Sequence, residues 1–426
     1  MITVVGTGTG APLPAQAAET EALLAGAGLV VGGRRHLAAV RLPDAAERVV
    51  LGPLAPALDA IERYLEQPGK ERPVVVLASG DPGFFGVARV LAERFGPGRL
   101  AVRPGVSSVA AAFARLGLTW DDAVVVSAHG RALRTAVHVC RAYPKAAVLT
   151  GPGAGPAELG AALAVGSPRR VLVVASALGD PGRERVERVT PAEAAARDWG
   201  TAVSVVLCLD ESRRLGPAAR TVAGPPAGPA RWALPESGFE HRDSMITKFE
   251  VRALALARLG PRLGDHVWDV GSGSGSVAVE CARFGAAVTA VEKSADGADR
   301  VRANAAAHGV DVRVVHGTAP AALDRLPADD DPDAVFVGGG GGDLPAIVAA
   351  CARRARRTVV VALAALDRVP AVRAALSGAG LDCDGVLLQS SRLAPLPGEV
   401  TRLAAANPVF LLWGDRPAAL SEGVPQ

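Results

Sequence analysis

The stretch that decides the fold is VWDVGSGSGSVAVECARFGAAVTAVE, residues 267–292. Residues 267–270 read as a buried strand that runs into Gly271-Ser272-Gly273-Ser274-Gly275. An apolar helix is expected over 277–284, then a second strand over 288–291 that ends on an acid, Glu292. Strand, glycine turn, helix, strand and acid make the nucleotide-binding half of a doubly wound α/β sheet. Glycines let a ligand approach the backbone closely, and the helix N-terminus presents unpaired N–H groups. An acid at the tip of the second strand can accept both hydroxyls of a ribose. Glu292 lies 21 positions after Gly271, close to the spacing of about 20 expected of such an acid.

A dinucleotide loop carries its third glycine where this chain has Ser276, and the extra glycine here is Gly275. Asp269 precedes the loop by two residues. The pattern D-x-G-x-G-x-G resembles motif I of class I S-adenosylmethionine (SAM) methyltransferases. That resemblance implies a Rossmann-like class I methyltransferase fold with SAM as cofactor.

Outward from the loop, the chain of 426 residues is too long for one ordinary core, so two or three α/β domains are expected. Hydrophobic residues at 49% and charged residues at 21% mark a globular chain. Aromatics at 4% leave little for stacking on bases, and a net charge of +3 without a basic tail argues against a nucleic-acid binder. The five cysteines, Cys140, Cys208, Cys281, Cys351 and Cys383, show no C-x-x-C spacing and sit in apolar surroundings. They read as buried thiols in a reducing cytoplasm, with no metal site. Residues 2–5 already read as a strand, so no signal peptide is expected, and no apolar run reaches the ~18 residues of a membrane span.

In the N-terminal half, residues 2–5 enter a second glycine loop, Gly6-Thr7-Gly8-Thr9-Gly10, but Pro12 and Pro14 follow, so no helix is expected to begin there. A helix over 19–27, a basic turn at 32–37 carrying Arg34 and Arg35, a helix over 54–66 and a buried strand over 73–78 come next. That strand delivers Ser79-Gly80-Asp81-Pro82-Gly83-Phe84-Phe85-Gly86, small and flexible residues at a strand end, where open α/β sheets bind ligands. Taken alone, the segment reads rather as a plain strand-to-helix turn with Asp81 as the helix cap. Pro104-Gly105-Val106-Ser107-Ser108 opens a further helix, Ser127-Ala128-His129-Gly130-Arg131 ends a strand, and a last strand is expected over 203–209.

These segments resemble the tetrapyrrole methylase family, the class III SAM methyltransferases. Its Gly-Asp-Pro loop with a nearby aromatic and its Pro-Gly-x-Ser-Ser segment recur here in order, over about 200 residues. Gly32-Gly33-Arg34-Arg35-His36-Leu37 and Ser127-Ala128-His129-Gly130-Arg131 resemble the branch that works on precorrins. Residues 8–12 depart from the family's first loop, so no contact is carried over there, and Ser176-Ala177-Leu178-Gly179 stands where many relatives have Glu-Asn-Leu-Gly.

Residues 213–238, rich in Pro, Gly, Ala and Arg without periodicity, read as a linker between a domain over 1–212 and another over 239–426. Beyond Glu292, a helix over 298–308, strands over 312–315 and 334–337, and later strands over 358–363, 383–388 and 408–413 are expected. The strand at 334–337 meets five glycines, residues 338–342, which lack polar groups to hold an exocyclic amine but leave room for a bulky planar substrate. Met245-Ile246-Thr247-Lys248, the glycine loop and the five-glycine run resemble the cobalamin-pathway class I methyltransferases that decarboxylate a precorrin. With a tetrapyrrole methylase fused ahead, the whole resembles the two-domain precorrin methyltransferases.

What the resemblance implies is transfer of two methyl groups from SAM, to carbons 5 and 15 of a precorrin-6, and loss of carbon dioxide from the ring C acetate, giving precorrin-8. It implies SAM contacts by Thr247, Gly271, Ser272, Gly273, Ser274, Gly275, Glu292 and Ala319 in one site, and by Gly80, Asp81 and Ser107 in the other. It also implies a homo-oligomer. No general base can be named; His129, His241, His316 and Asp343 are the candidates by location. Arg34, Arg35, Arg131 and Arg252 are candidate partners for the substrate's carboxylates. An RNA methyltransferase and a non-catalytic tetrapyrrole-binding protein are the alternatives; two SAM-type loops argue against the carrier, which needs neither.

Overall fold

The computed structural model describes residues 1–7, 14–69, 72–166, 169–180, 182–200, 204–213, 215, 222–225, 228, 231, 233–242, 245–339 and 341–417. The chain forms two compact units. The first comprises Met1–Arg131, Ala147–Ala161 and Arg170–Gly224; the second comprises Ala132–Ala146, Ala162–Arg169 and Pro225–Gln426.

The first unit holds two sheets. One contains β1 (Ile2–Thr7), β2 (Leu29–Gly32), β3 (Glu47–Val50), β4 (Val74–Ser79) and β5 (Leu100–Arg103), in the order β3-β2-β4-β1-β5. Its ladders are parallel. Successive residues face opposite sides: Ile2, Val4, Val74 and Val76 fill one apolar cluster, and Val5, Val75 and Leu77 another. Burial on both faces is why these strands read as unbroken apolar runs. The other sheet contains β6 (Val124–Ser127), β7 (Lys145–Leu149), β8 (Arg170–Ser176), β9 (Arg185–Val189) and β10 (Ser204–Asp210), in the order β6-β7-β10-β8-β9. Here β8 pairs antiparallel with both β10 and β9.

The second unit is built on one seven-stranded sheet. Its strands are β11 (His266–Val270), β12 (Ala287–Glu292), β13 (Arg313–His316), β14 (Ala334–Val337), β15 (Thr358–Leu363), β16 (Asp382–Leu388) and, beyond a hairpin of β17 (Ser391–Leu396) and β18 (Val400–Ala405), β19 (Val409–Asp415). The order is β13-β12-β11-β14-β15-β19-β16. The first five strands run parallel; β19 is antiparallel to both β15 and β16. Trp268 and Val270 enter one apolar cluster and Val267 the other, so both faces of the sheet are covered. The chain winds outward in opposite directions from β11, and ligands bind at such a switch point.

The structure departs from several sequence expectations. A helix does begin in the proline-rich stretch, at Pro14, because a proline at the first helical position lacks only an N–H that would be unpaired anyway. Residues 8–12 lie outside the described residues. Arg34–Ala38 is a short helix rather than a turn. The strands β3, β5, β9, β17 and β18 were not anticipated.

Candidate functional sites

In the second unit, β11 ends at Val270 and the chain turns through three glycines, Gly271, Gly273 and Gly275, with φ of 72°, 58° and 73°. This left-handed conformation costs a glycine nothing and strains other residues. At Gly275 a Cβ would also meet Val301 at 3.0 Å, whereas the space over Gly273 is open. Glu292, at the end of β12, is buried beside the loop. Its Oε2 accepts from the Gly273 N–H at 2.9 Å, and its Oε1 accepts from the Ser294 N–H at 2.9 Å. The structure therefore brings Gly271 through Gly275 and Glu292 into one place. Ser274 is fixed from behind: its carbonyl accepts from Asn304 at 2.7 Å.

Asp269, read from sequence only as a flank of the motif, turns out to lie under the loop, 1% exposed. Its Oδ2 accepts from Ser272 Oγ at 2.7 Å and from the Ala278 N–H at 3.0 Å. Its Oδ1 is buried without a partner. Burial raises this carboxyl's pKa to about 6 against the two hydrogen bonds, with Glu292 adding to the rise. A buried acceptor left open beneath a glycine corner fits a cationic or N–H-bearing ligand.

The other residues expected around this loop are more dispersed. The Thr247 carbonyl accepts from the Arg252 guanidinium. Ala319 is half-buried and packs against the core cluster that contains Val270. His241 and Asp343 are exposed, and Asp343 begins the helix Leu344–Arg354 without a side-chain capping bond. His316 donates or accepts at Nε2 opposite the Lys293 carbonyl, 3.1 Å away; since a carbonyl only accepts, that nitrogen carries the proton. Gly340 of the five-glycine run lies outside the described residues.

Arg252 corrects an expectation. It is fully buried, with its Nε donating to Glu280 Oε1 at 3.3 Å and its guanidinium also bonded to the carbonyls of Thr247 and Leu234. It lies over the Phe239 ring, 5.0 Å from the centroid. It is an internal brace and cannot meet a substrate carboxylate.

In the first unit, β4 ends at Ser79 and Gly80 turns with φ of 61°. The Gly80 N–H donates to the Thr7 carbonyl at 2.8 Å, and its own carbonyl accepts from Gly105 at 3.1 Å. Ser107 caps the helix Ser108–Leu116 by accepting from the Ala110 N–H at 3.2 Å. Asp81 accepts from the Gly83 N–H at 2.8 Å. Gly80, Asp81 and Ser107 line one cleft together with Arg35, Phe84 and Leu178. Arg35 donates to Ser79 Oγ, which lies 3.1 Å from His36 Nε2. Burial, and then Arg35, lower the His36 pKa to about 4. With the imidazole neutral, His36 Nε2 and the Ser79 hydroxyl share one hydrogen bond, and the serine links arginine to histidine. Arg34 is exposed, and Arg131 lies over the Phe85 ring, 5.5 Å from its centroid. His129 is exposed and its Nδ1 donates to the Thr150 carbonyl at 3.2 Å. Of the four catalytic candidates, His129 thus belongs to the first unit and His241, His316 and Asp343 to the second.

Among the described residues, one group has the donors of a metal site: His138, His266 and Asp330 of the second unit. Both oxygens of Asp330 are already taken by guanidiniums, from Arg141 at 2.7 Å and Arg313 at 3.3 Å. The group reads as a buried ion-pair network. No disulfide joins the five cysteines, four of which are buried and one, Cys383, half-exposed. No helix among the described residues is long and apolar enough to cross a membrane.

A glycine corner at the carboxyl ends of parallel strands, present once in each unit, defines a chain with two SAM-dependent methyltransferase folds. Residues 1–195 match the Tetrapyrrole (Corrin/Porphyrin) Methylases, and residues 237–413 match the Precorrin methyltransferase domain. A precorrin-6Y C(5,15)-methyltransferase [decarboxylating] from Sinorhizobium sp is 38% identical over 331 residues, 75% of this chain and 74% of the relative. A cobalt-precorrin-7 C(5)-methyltransferase from Salmonella typhimurium is 32% identical over 50% of this chain and 100% of its own length. A probable cobalt-precorrin-6B C(15)-methyltransferase (decarboxylating) from Pyrobaculum calidifontis is 37% identical over 42% of this chain and 93% of its own. The chain belongs to the family of decarboxylating precorrin-6Y C(5,15)-methyltransferases.

Proposed function

We propose that the chain methylates a precorrin-6 at carbons 5 and 15 and removes carbon dioxide from its ring C acetate, giving precorrin-8, with one methylation in each unit and the decarboxylation in the second. The observation that carries this is the presence of two separate glycine corners, each at the strand ends of its own sheet. Family members that span only part of this chain, one named for carbon 5 and one for carbon 15 with decarboxylation, support the division.

SAM, when bound, supplies an electrophilic methyl group. In the second unit, Glu292 takes the ribose hydroxyls, the open side of Gly273 admits the ligand to the backbone, and Asp269 Oδ1 accepts from its ammonium. In the first unit, Gly80, Asp81 and Ser107 line the cofactor's place, and Arg35, steadied by Ser79, takes a carboxylate of the substrate. The ring carbon is made nucleophilic by its conjugated pyrrole nitrogens, so the protein's task is alignment, worth several kcal/mol. Gly338 and Gly339 lie beside the Gly271 corner, where Gly339 N is 3.3 Å from the place of a Gly271 Cβ. The bare Gly339 backbone offers its N–H to the departing carboxylate.

A cytoplasmic setting is supported by five cysteines that form no disulfide, four of them buried. A homo-oligomer is part of the same reading, and light scattering on the purified chain decides it. Mass spectrometry of a precorrin-6 incubated with the protein and SAM tests the function: two added methyl groups and one lost carbon dioxide are expected. A product without either change overturns it.

A further inference from the structure

The first unit exposes two adjacent aromatic side chains at the rim of its cleft, Phe84 at 36% and Phe85 at 49%. In a chain with only 4% aromatic residues, this pairing stands out from scattered surface apolar groups. The rings meet edge to face, with centroids 5.0 Å apart and planes at 75°. Phe84 lines the cleft beside Gly80 and Asp81. Phe85 has φ of 54°, in the left-handed region. A bulky residue there is a genuine outlier, since glycine would occupy the same turn without strain. The backbone is pinned around it: the Phe84 N–H donates to the Asp81 carbonyl at 3.1 Å, and a Cβ on Gly86 would fall 2.4 Å from the Pro82 carbonyl oxygen. The loop holds an aromatic ring outward at a position that disfavours it.

Arg131 lies over the Phe85 ring, and its guanidinium has no carboxylate partner among the described residues. Stacking over a ring leaves the in-plane N–H donors of a guanidinium free. The surface therefore offers an exposed aromatic ring with one cation over it, Arg131, and a second, Arg35, in the adjoining cleft. That combination matches a flat conjugated macrocycle that bears carboxylates.

We propose that Phe85, backed by Phe84 and steadied by Arg131, is the shelf on which the tetrapyrrole ring system rests while the first unit methylates it, with Arg131 taking one of the ring's carboxylates. This rests on the functional reading above and adds a positioning surface to it. The macrocycle stacks on the outward aromatic face, and its periphery meets the guanidinium. The strain at Phe85 is retained because the ring serves binding rather than folding.

The test uses the intact chain, a precorrin substrate and SAM, with the two methylations followed separately by mass. Phe85→Gly removes the ring and the strain together, so it melts at the same temperature as the wild type or higher. Its KM for the precorrin in the first unit's methylation rises about tenfold or more, as loss of one aromatic stack implies. Its kcat changes less, and the second methylation and decarboxylation keep their wild-type constants. Phe85→Tyr keeps the stack and restores KM. Arg131→Gln raises KM in the same reaction. An unchanged KM in Phe85→Gly overturns the shelf while the wild type's two methylations leave the functional reading standing. A lowered melting temperature with unchanged KM would make Phe85 a structural residue and overturn it equally. A wild-type protein that methylates no precorrin would remove the functional reading itself.

Discussion

Asp269 shows how far one side chain can couple folding to pH. Its carboxyl is buried and its pKa is raised to about 6 from an ordinary 3.8. The folded state therefore holds this proton more tightly than the unfolded chain does. The group's contribution is most favourable below about pH 4, is lost as pH rises toward 6, and is flat above that. Asp269→Asn removes the titration. Between pH 4.5 and 7 the ligand-free wild type should lose about 2 kcal/mol that the variant does not lose. Urea unfolding of both proteins at the two pH values measures this, and parallel profiles would show that Asp269 is not the group responsible. A ligand cation at Oδ1 favours the ionised form, so SAM affinity should fall below about pH 6 in the wild type and be weak and pH-independent in Asp269→Asn.

At the scale of elements, the helix Phe249–Leu259 is tied to the helix Ser276–Arg283 by the Arg252–Glu280 pair, both fully buried. Arg252→Met should cost about 3–5 kcal/mol, because it breaks a buried ion pair and leaves the Thr247 and Leu234 carbonyls without their donor. Glu280 keeps the Arg283 guanidinium at 2.8 Å, so adding Arg283→Met should deepen the loss. Denaturant unfolding checks both, and an Arg252→Met protein as stable as the wild type would contradict the brace. The same pair marks a limit of the sequence. An arginine in a motif-rich stretch reads as a ligand contact, and nothing local reveals that its partner sits 28 residues on and that both are buried. The central strands and glycine corners were legible because parallel strands buried on both faces leave continuous apolar runs, and because positive φ selects glycine. The helix Arg34–Ala38 is too short to show a period. The strand β9 reads RVERV, its charges masking the pattern. The hairpin β17–β18 carries Pro395 and exposes Leu393 at 78% and Leu403 at 67%, so neither inward alternation nor a proline-free run announced it. Of the candidate positions, Gly80, Asp81, the loop at 271–275 and Glu292 stand at strand ends that apolar runs and glycines mark, whereas Ser107 rests on the Pro-Gly-x-Ser-Ser resemblance. The open acceptor of Asp269 and the link through Ser79 depend on which atoms meet, which only coordinates reveal.

At the scale of the whole molecule, cutting the chain between residues 213 and 238 is a poor way to separate the two activities. The second unit includes Ala132–Ala146 and Ala162–Arg169, so a fragment over 239–426 would lose His138, Arg141 and their bonds to Gly264 and Asp330. Single glycines in the intact chain are cleaner. Gly80→Leu places a Cβ 3.3 Å from Ser107 Cα in a left-handed turn; Gly273→Leu fills open space over its loop and meets only the φ penalty of about 1–2 kcal/mol. Gly80→Leu should yield a product with one added methyl group and the carbon dioxide lost, and Gly273→Leu one with a methyl group and the acetate intact. Decarboxylation surviving in Gly273→Leu, as read by product mass, would move that chemistry out of the second unit. The insertion of β19 between β15 and β16 has a further consequence, for synthesis. A nascent chain leaves the ribosome N-terminus first, so Thr358–Leu363 emerges with one edge open, and Asp382–Leu388 emerges with no neighbour in its sheet. Both wait until residues 409–415 arrive to slot between them. Through that interval the newborn protein carries an unpaired apolar edge, which invites pairing with another chain. A stalled or prematurely stopped product ending between residues 389 and 408 would therefore be an aggregation seed rather than a shorter enzyme.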